Sequence, residues 1–305
     1  MSDMLHRVNA FHGHRGPVYA LLPQAPEDTF LSASGDGSIV QWHVDQPEQG
    51  RVLARVNEAV FALHAWGGGS WLLAGTESGS LRVIDLKAGA EVRHFTAQRK
   101  GVFGMVTLPD GRVATSAGDG TVALWVVQDE AVQIALERQI PLCEEKVRSM
   151  AVSHDGHWLA VACGDGMVRV LDLPGLNELH TLSAHEEGAQ SVAWHPHKPV
   201  LLSGGKDGQL RVWRTDDAFS PLHAWPAHKA GIYAIAFSAS GDRFATASRD
   251  KTAKLWNAHD LRPLARVERA NDGHTHSVNT LCWIGSDLFT AGDDRRILAW
   301  RQAGA

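Results

Sequence analysis

Histidine, a hydroxyl side chain and aspartate are the residue types that assemble a base, a nucleophile and the acid that orients the base. In this chain they recur together at fixed distances. His14, His185 and His228 each stand 22 residues before an aspartate (Asp36, Asp207, Asp250), and each aspartate stands six before a tryptophan (Trp42, Trp213, Trp256). A catalytic triad is needed once, at one pocket, whereas a set that returns with a period has the arithmetic of a scaffold. These groups are therefore expected to satisfy one another as buried polar partners, at about 0.5–1.5 kcal/mol per hydrogen bond. On this reading the protein is not an enzyme.

The remaining chemistry-bearing residues offer little more. A metal site built from imidazoles needs three or four ligands. His12 and His14 have no third ligand nearby in sequence, and most of the 17 histidines fall in repeat positions or in polar turns such as "HPHKP". Cys143, Cys163 and Cys282 are an odd number without CxxC or other ligand spacing, which points to free thiols in a reducing, cytoplasmic setting. The stretch "GGGS" at 67–70 runs directly into "WLLAG", lacks the Lys-Ser and helix of a phosphate loop, and reads as a turn. No metal and no cofactor are expected. A net charge of −5 disfavours a general nucleic-acid binder. The start "MSDMLHRVNAFHGH" has no apolar run behind a basic segment, and nothing approaches the ~18 apolar residues of a membrane span.

The elements that must position these groups are repeats. Seven segments align: "SGDGSIVQW", "TESGSLRVI", "AGDGTVALW", "CGDGMVRVL", "GKDGQLRVW", "SRDKTAKLW" and "GDDRRILAW". They end at Trp42, Ile84, Trp125, Leu171, Trp213, Trp256 and Trp300, in steps of 42, 41, 46, 42, 43 and 44 residues. Each reads as a tight turn leading into a strand. Two apolar runs precede it, such as "VYALLP" and "TFLSAS", and a short segment follows, making four strands per repeat. The period suits propeller blades. With Gly13-His14 and Gly273-His274 weakened to Ala184-His185 and Ala227-His228, the chain resembles the WD-repeat β-propeller family from end to end.

That resemblance implies an all-β, seven-bladed β-propeller of four-stranded antiparallel blades, one domain over 1–305. Only "RQAGA" follows Trp300, so a strand near residues 4 to 11 is expected to complete the last blade and close the ring. The resemblance also places four sets in structural networks: His14, Ser32, Asp36, Trp42; His185, Ser203, Asp207, Trp213; His228, Thr246, Asp250, Trp256; and His274, Thr290, Asp294, Trp300. Blade two has Val56, Ala74, Ser78 and Ile84 in those places. Blade four has Cys143, Val161, Asp165 and Leu171, and blade three has Gln98 with Thr115, Asp119 and Trp125.

In a repeat scaffold, function is sought in what varies at exposed equivalent positions. The resemblance implies that partners bind on the face around the central channel, through residues three and five after the histidine slot and the residue before the turn aspartate. Blades one to three carry Tyr19, Phe61 and Phe103 there, beside Ala59, Gly101, Gly35 and Gly118. Blades four to six carry Lys146, Arg148, Lys206, Tyr233 and Arg249. An apolar half and a basic half would suit a protein or peptide with an apolar anchor and acidic residues. The expected function is a non-catalytic interaction scaffold, as a component of a multiprotein complex. Two alternatives are an enzyme with a channel-mouth site, for which only Glu77 and Asp293 supply acids, and nucleic-acid or phospholipid contact through the basic half.

Overall fold

The middle strands of the repeats explain the architecture. "TFLSAS", "WLAVAC", "VLLSGG", "RFATAS" and "DLFTAG" are buried along almost their whole length, which requires packing on both faces and explains their small alanine, serine and glycine side chains. The last strand of a repeat is the opposite: Ala90–Thr96 and Ser220–Pro226 are largely exposed. Proline and charge on these outer strands, as in Pro221, Pro226 and Pro263, blunt the open edge.

The computed structural model describes residues 5–25, 28–128 and 133–302. They form seven four-stranded antiparallel sheets, the blades of a β-propeller. Two 3₁₀ turns, Gly67–Gly69 and Arg269–Asn271, are the helical segments among the described residues, so "GGGS" holds a single 3₁₀ turn. No described helix is long and apolar enough to cross a membrane.

The chain divides into two compact units, Met1–Val60 with Ile232–Ala305, and Phe61–Gly231. The first holds blade one (Val18–Pro23, Thr29–Ser34, Ser38–His43, Gln46–Arg55), blade six (Ile232–Phe237, Arg243–Ser248, Ala253–Asn257, Pro263–Val267) and blade seven. Blade seven joins both ends of the described chain: Leu5–Phe11 pairs antiparallel with Ile297–Gln302, beside Asp287–Gly292 and Val278–Ile284. The expected N-terminal strand is therefore present from Leu5, and Met4 lies outside the described residues. Phe11 locks it. Its ring, 1% exposed, sits 5.1 Å from Phe30 of blade one and 5.9 Å from Phe289 of blade seven.

The second unit holds blades two to five. Blade four comprises Val147–Val152, Trp158–Cys163, Met167–Asp172 and Glu178–Ser183, and blade five starts with Ala189–Trp194. Neighbouring blades are pinned by hydrogen bonds as well as by apolar packing. Trp194 Nε1 donates to the Ala151 carbonyl at 2.8 Å, and the side chains of His64 and Thr107 meet at 2.7 Å.

The turns between second and third strands share one geometry in every blade but the second, which has Ser78 in place of the aspartate. The aspartate accepts the amide two residues on, as Asp36 does from Ser38 at 2.9 Å and Asp207 from Gln209 at 3.0 Å. The next residue is left-handed: Gly37 has φ 77°, and a Cβ there would lie 2.1 Å from the Val56 carbonyl. Blades six and seven put Lys251 and Arg295 in that conformation instead, at φ 74° and 66°.

If Phe11 is the lock, Phe11→Ala should cost about 3–5 kcal/mol, the usual penalty for emptying a buried aromatic site. Urea unfolding measures it; a loss below about 1 kcal/mol would show that the strand is held by other means.

Candidate functional site

The recurrent histidines, hydroxyls and aspartates are assembled into directional chains of hydrogen bonds. In blade seven the buried Trp300 Nε1 donates to Thr290 Oγ1 at 2.9 Å, Thr290 Oγ1 lies 2.9 Å from His274 Nε2, and His274 Nδ1 lies 2.9 Å from Asp294 Oδ1. An indole N–H only donates, so the hydroxyl accepts from it and its own proton is free to reach Nε2. The imidazole is then protonated on Nδ1, facing the carboxylate. Blade five repeats this with Trp213, Ser203 and His185 at 3.0 Å per step and 3.2 Å to Asp207. In blade six Trp256 donates to Thr246 at 2.9 Å, His228 is buried, and Asp250 accepts from the Thr252 amide and hydroxyl.

Blade one interposes a further hydroxyl. Trp42 donates to Ser32 at 2.8 Å and Ser32 reaches His14 Nε2 at 2.6 Å, but His14 Nδ1 meets Ser38 Oγ at 3.0 Å, and Ser38 in turn donates to Asp36. Blade three shows that the ring itself is dispensable. Gln98, 1% exposed, accepts from Thr115 through Oε1 at 2.6 Å and donates through Nε2 to Thr121 Oγ1 at 3.0 Å, and Thr121 bonds Asp119 at 2.7 Å. With Trp125 donating to Thr115, that chain is complete. An amide offers the same acceptor and donor as a singly protonated imidazole. Blade two fills the slots with buried Val56, Ala74 and Ile84 and leaves a hydroxyl cluster of Thr76, Ser78 and Ser80 at its turn.

Electrostatics fit these roles. Burial holds His14 and His185 below the ordinary 6.5, and Asp36 and Asp207 only partly offset it. Both rings are neutral at pH 7, so the 3.7 Å approach of His14 to Asp36 is not an ion pair. Burial alone would raise the Asp36 carboxyl, but the Ser38 hydroxyl and the Arg15 and Ser38 amides outweigh it and bring it to about 2. Asp294 is likewise pushed down from its burial-raised position, by His274, Arg296 and the Thr275 amide.

The residues expected to contact a partner lie on both units. Tyr19, Tyr233 and Arg249 belong to the first, with the tyrosines half-buried and Arg249 exposed. Gly35 presses on Tyr19, since a Cβ there would come within 3.2 Å of its ring. Phe61, Phe103, Lys146, Arg148 and Lys206 belong to the second. Phe61 and Phe103 stack with centroids 5.3 Å apart and planes 16° apart. Gly101, at φ 83°, leaves room for both rings. The Arg148 guanidinium lies 5.6 Å from the Phe103 centroid, so apolar and basic groups meet within this unit. Lys146 is depressed below the ordinary lysine value, first by burial and then by Arg148 and Lys206. Of the two acids expected near the mouth, Asp293 accepts from Asn279 at 2.7 Å and Glu77 is exposed.

Two features escape the sequence. Cys143 and Cys163, 20 residues apart and without ligand spacing, converge with Asp165: one donor atom of each lies within 4.8 Å of the others. Cys143 is held down to about 7 because the Cys163 thiol can donate to its thiolate, while the same contact and burial push Cys163 up. The "HPHKP" turn is also more than a polar loop. Buried His195 caps it by accepting the His197 and Lys198 amides at 3.0 and 3.1 Å, beside a cleft of about 200 Å³ lined by Trp158 and Trp194. Trp158 opens the second strand of blade four and Trp194 ends the first strand of blade five, so the two rings, stacked with centroids 5.9 Å apart, hold non-equivalent repeat positions and no repeat pattern pairs them.

Two kinds of substitution separate the roles of the histidines. Because Gln98 already serves in this slot, His185→Gln should unfold within about 1 kcal/mol of wild type, whereas His185→Ala strands Ser203 and Asp207 and should cost about 1–3 kcal/mol. The pH dependence follows from the depressed ring values. Below pH 6.5 the unfolded chain binds protons that the folded chain refuses, so stability falls as pH drops through that window. Thermal melts at pH 7.5 and 5.5 should show a smaller loss for the His14→Gln, His185→Gln double variant than for wild type; equal losses would refute the assignment.

Comparisons with known proteins agree with this geometry. The family model described as "WD domain, G-beta repeat" matches residues 5–43, 89–126, 138–172, 176–214 and 219–257, more than half of the chain. The repeats ending at Ile84 and Trp300 fall outside these stretches, although the second has a complete hydrogen-bonded chain. The Serine-threonine kinase receptor-associated protein of Mus musculus is 25% identical over 252 residues, covering 82% of this chain and 69% of that protein. WD repeat-containing protein slp1 of Schizosaccharomyces pombe is 24% identical over 193 residues, 62% of this chain but 36% of slp1. Protein hir1 of the same yeast is 30% identical over 192 residues, 53% of this chain and 20% of hir1. The chain thus spans about a third of slp1 and a fifth of hir1. With seven four-stranded blades, their repeated hydrogen-bonded chains and this match, the protein belongs to the WD40 family of β-propellers.

Proposed function

We propose that the protein is a non-catalytic interaction scaffold that binds a peptide or loop carrying an apolar anchor and acidic residues. The observation that carries this reading is the cluster on the second unit. Two stacked phenyl rings, Phe61 and Phe103, adjoin the Arg148 guanidinium, and Arg148 and Lys206 stand near enough to Lys146 to add to the lowering that burial gives it. An aliphatic or aromatic side chain can cover the rings, and a carboxylate relieves the crowded positive charge.

Tyr19, Tyr233 and Arg249 are proposed as further contacts carried by the first unit, with residues 1–305 acting as one domain. The name of the receptor-associated relative fits a role in assembly with other proteins. Three free thiols fit a reducing, cytoplasmic setting. The same cations would also attract phosphate, and salt dependence separates the two ligands, because phosphate contacts release counterions along a polyanion.

Selection from a random peptide library displayed against the protein tests the reading. Enriched peptides should pair an apolar residue with Asp or Glu, and both Phe61→Ser with Phe103→Ser and Arg148→Glu with Lys206→Glu should weaken them at least tenfold, about 1.4 kcal/mol. Enrichment without acidic residues, or binding that neither double variant alters, would overturn it.

A further inference from the structure

Blade four has lost the hydrogen-bonded chain but kept its aspartate. Cys143 occupies the histidine slot, Val161 the hydroxyl slot and Leu171 the tryptophan slot, while Asp165 still closes the turn by accepting the Met167 amide at 3.0 Å. What blade four adds is Cys163. Side chains at i and i+2 of a strand share a face, so Cys163 faces the same way as Val161, one step nearer the turn. In blade five this position is Gly205, where a Cβ would lie 2.2 Å from the His185 ring. Blade four carries Cys143 in place of that ring and Cys163 in place of the glycine, so a second sulfur stands beside the first.

We propose that Cys143, Cys163 and Asp165 form a binding site for a divalent, thiophilic metal ion, of which zinc is the best match. Two sulfurs and a carboxylate oxygen are a donor set that zinc takes with water in the fourth position. Tetrahedral Zn–S bonds of about 2.3 Å put two sulfurs roughly 3.8 Å apart. The donor atoms here are already within 4.8 Å, so closure moves them by no more than about 1 Å. Charge also balances. Two thiolates and Asp165 carry three negative charges; the ion supplies two positive ones, and Arg169, 2.7 Å from Asp165 Oδ2, supplies the third.

The surroundings suit such an ion. Cys163 is buried among Val147, Leu159, Val161 and Leu171, while Cys143 is half-buried and Asp165 exposed, so the site is walled below and open above. In the described structure the Cys143 thiol donates to the Glu145 carbonyl at 2.9 Å. Binding displaces that proton and the one on Cys163: one ion enters, two Zn–S bonds form and two protons leave. The ion would join the segment ahead of the first strand, the end of the second strand and the turn, the same three segments that blade five joins through His185, Ser203 and Asp207, with the sulfur standing two residues beyond the hydroxyl position.

Cobalt(II) reports this directly. Chelator-treated, fully reduced protein titrated with cobalt should bind one equivalent and show thiolate-to-cobalt charge-transfer absorption with the visible bands of tetrahedral cobalt, both bleached by zinc. Zinc should raise the melting temperature. Cys143→Ser and Asp165→Asn should each weaken binding at least tenfold, and Cys282→Ser should leave it unchanged; circular dichroism establishes that each variant is folded. Absence of charge-transfer absorption in the wild type, its persistence in folded Cys143→Ser, or its loss in Cys282→Ser would each overturn the proposal.

Discussion

A buried indole carries one N–H and no acceptor, so the tryptophan of a blade's third strand needs an oxygen brought to it. Five blades meet this demand with one geometry. Trp42, Trp125, Trp213, Trp256 and Trp300 pair across strands with Phe30, Val113, Leu201, Phe244 and Leu288, and each indole donates to the hydroxyl two residues further along the partner strand. Once the hydroxyl oxygen has accepted, its proton needs a home, and an imidazole nitrogen or an amide oxygen takes it. The far side of that group is then a donor, and the turn carboxylate or its neighbouring hydroxyl receives it. One buried N–H thus sets the polarity of every later bond.

This dependence explains which substitutions travel together. Removing one member of a buried chain leaves its neighbours with desolvated, unpaired groups, whereas removing all of them leaves an apolar contact. Blade two has replaced indole, hydroxyl and ring by Ile84, Ala74 and Val56, all buried, and blade four has Leu171 and Val161 where a hydrogen-bonded pair would be. Blade three kept the indole and the hydroxyl and so had to keep a group with an acceptor on one side and a donor on the other. Gln98 is such a group, and its bonds to Thr115 and Thr121 run in the order found elsewhere.

The blades were legible in the sequence because their constraints are local and periodic: a turn aspartate, a strand of alternating burial and a terminal indole recur within each repeat of 41 to 46 residues. The extra strand of the last blade was legible for the same reason, since Leu5–Phe11 stands just ahead of a Gly-His pair. What was not legible depends on contacts made by residues that depart from the repeat pattern or that pair one repeat with the next. Cys143 lies in a linker and Cys163 at a strand end, 20 residues apart without ligand spacing, and the fold brings their sulfurs together beside Asp165. Arg148 and Phe103 belong to different repeats, so their approach depends on how blades three and four pack. Lys251 and Arg295 hold the left-handed turn position that glycine holds in the other blades, so those two hairpins are read from their register with the aspartate and the tryptophan and not from a glycine.

The scaffold and the proposed face are mechanically joined through the turn carboxylates. Asp36, Asp119 and Asp294 accept the backbone amides of Arg15, Arg99 and Thr275, the residues immediately after the histidine slot. The segment leading to Tyr19 or Phe103 is therefore tethered at its root by the same acid that ends the buried chain, and stiffness built in the core reaches the side chains proposed to meet a partner. Blade four directs its carboxylate elsewhere: Asp165 accepts from the Met167 amide and from Arg169. The segment carrying Lys146 and Arg148 then rests on the Cys143 end of the sulfur pair, the place in the fold where a cross-link of another kind would restore the tether the other blades make with hydrogen bonds.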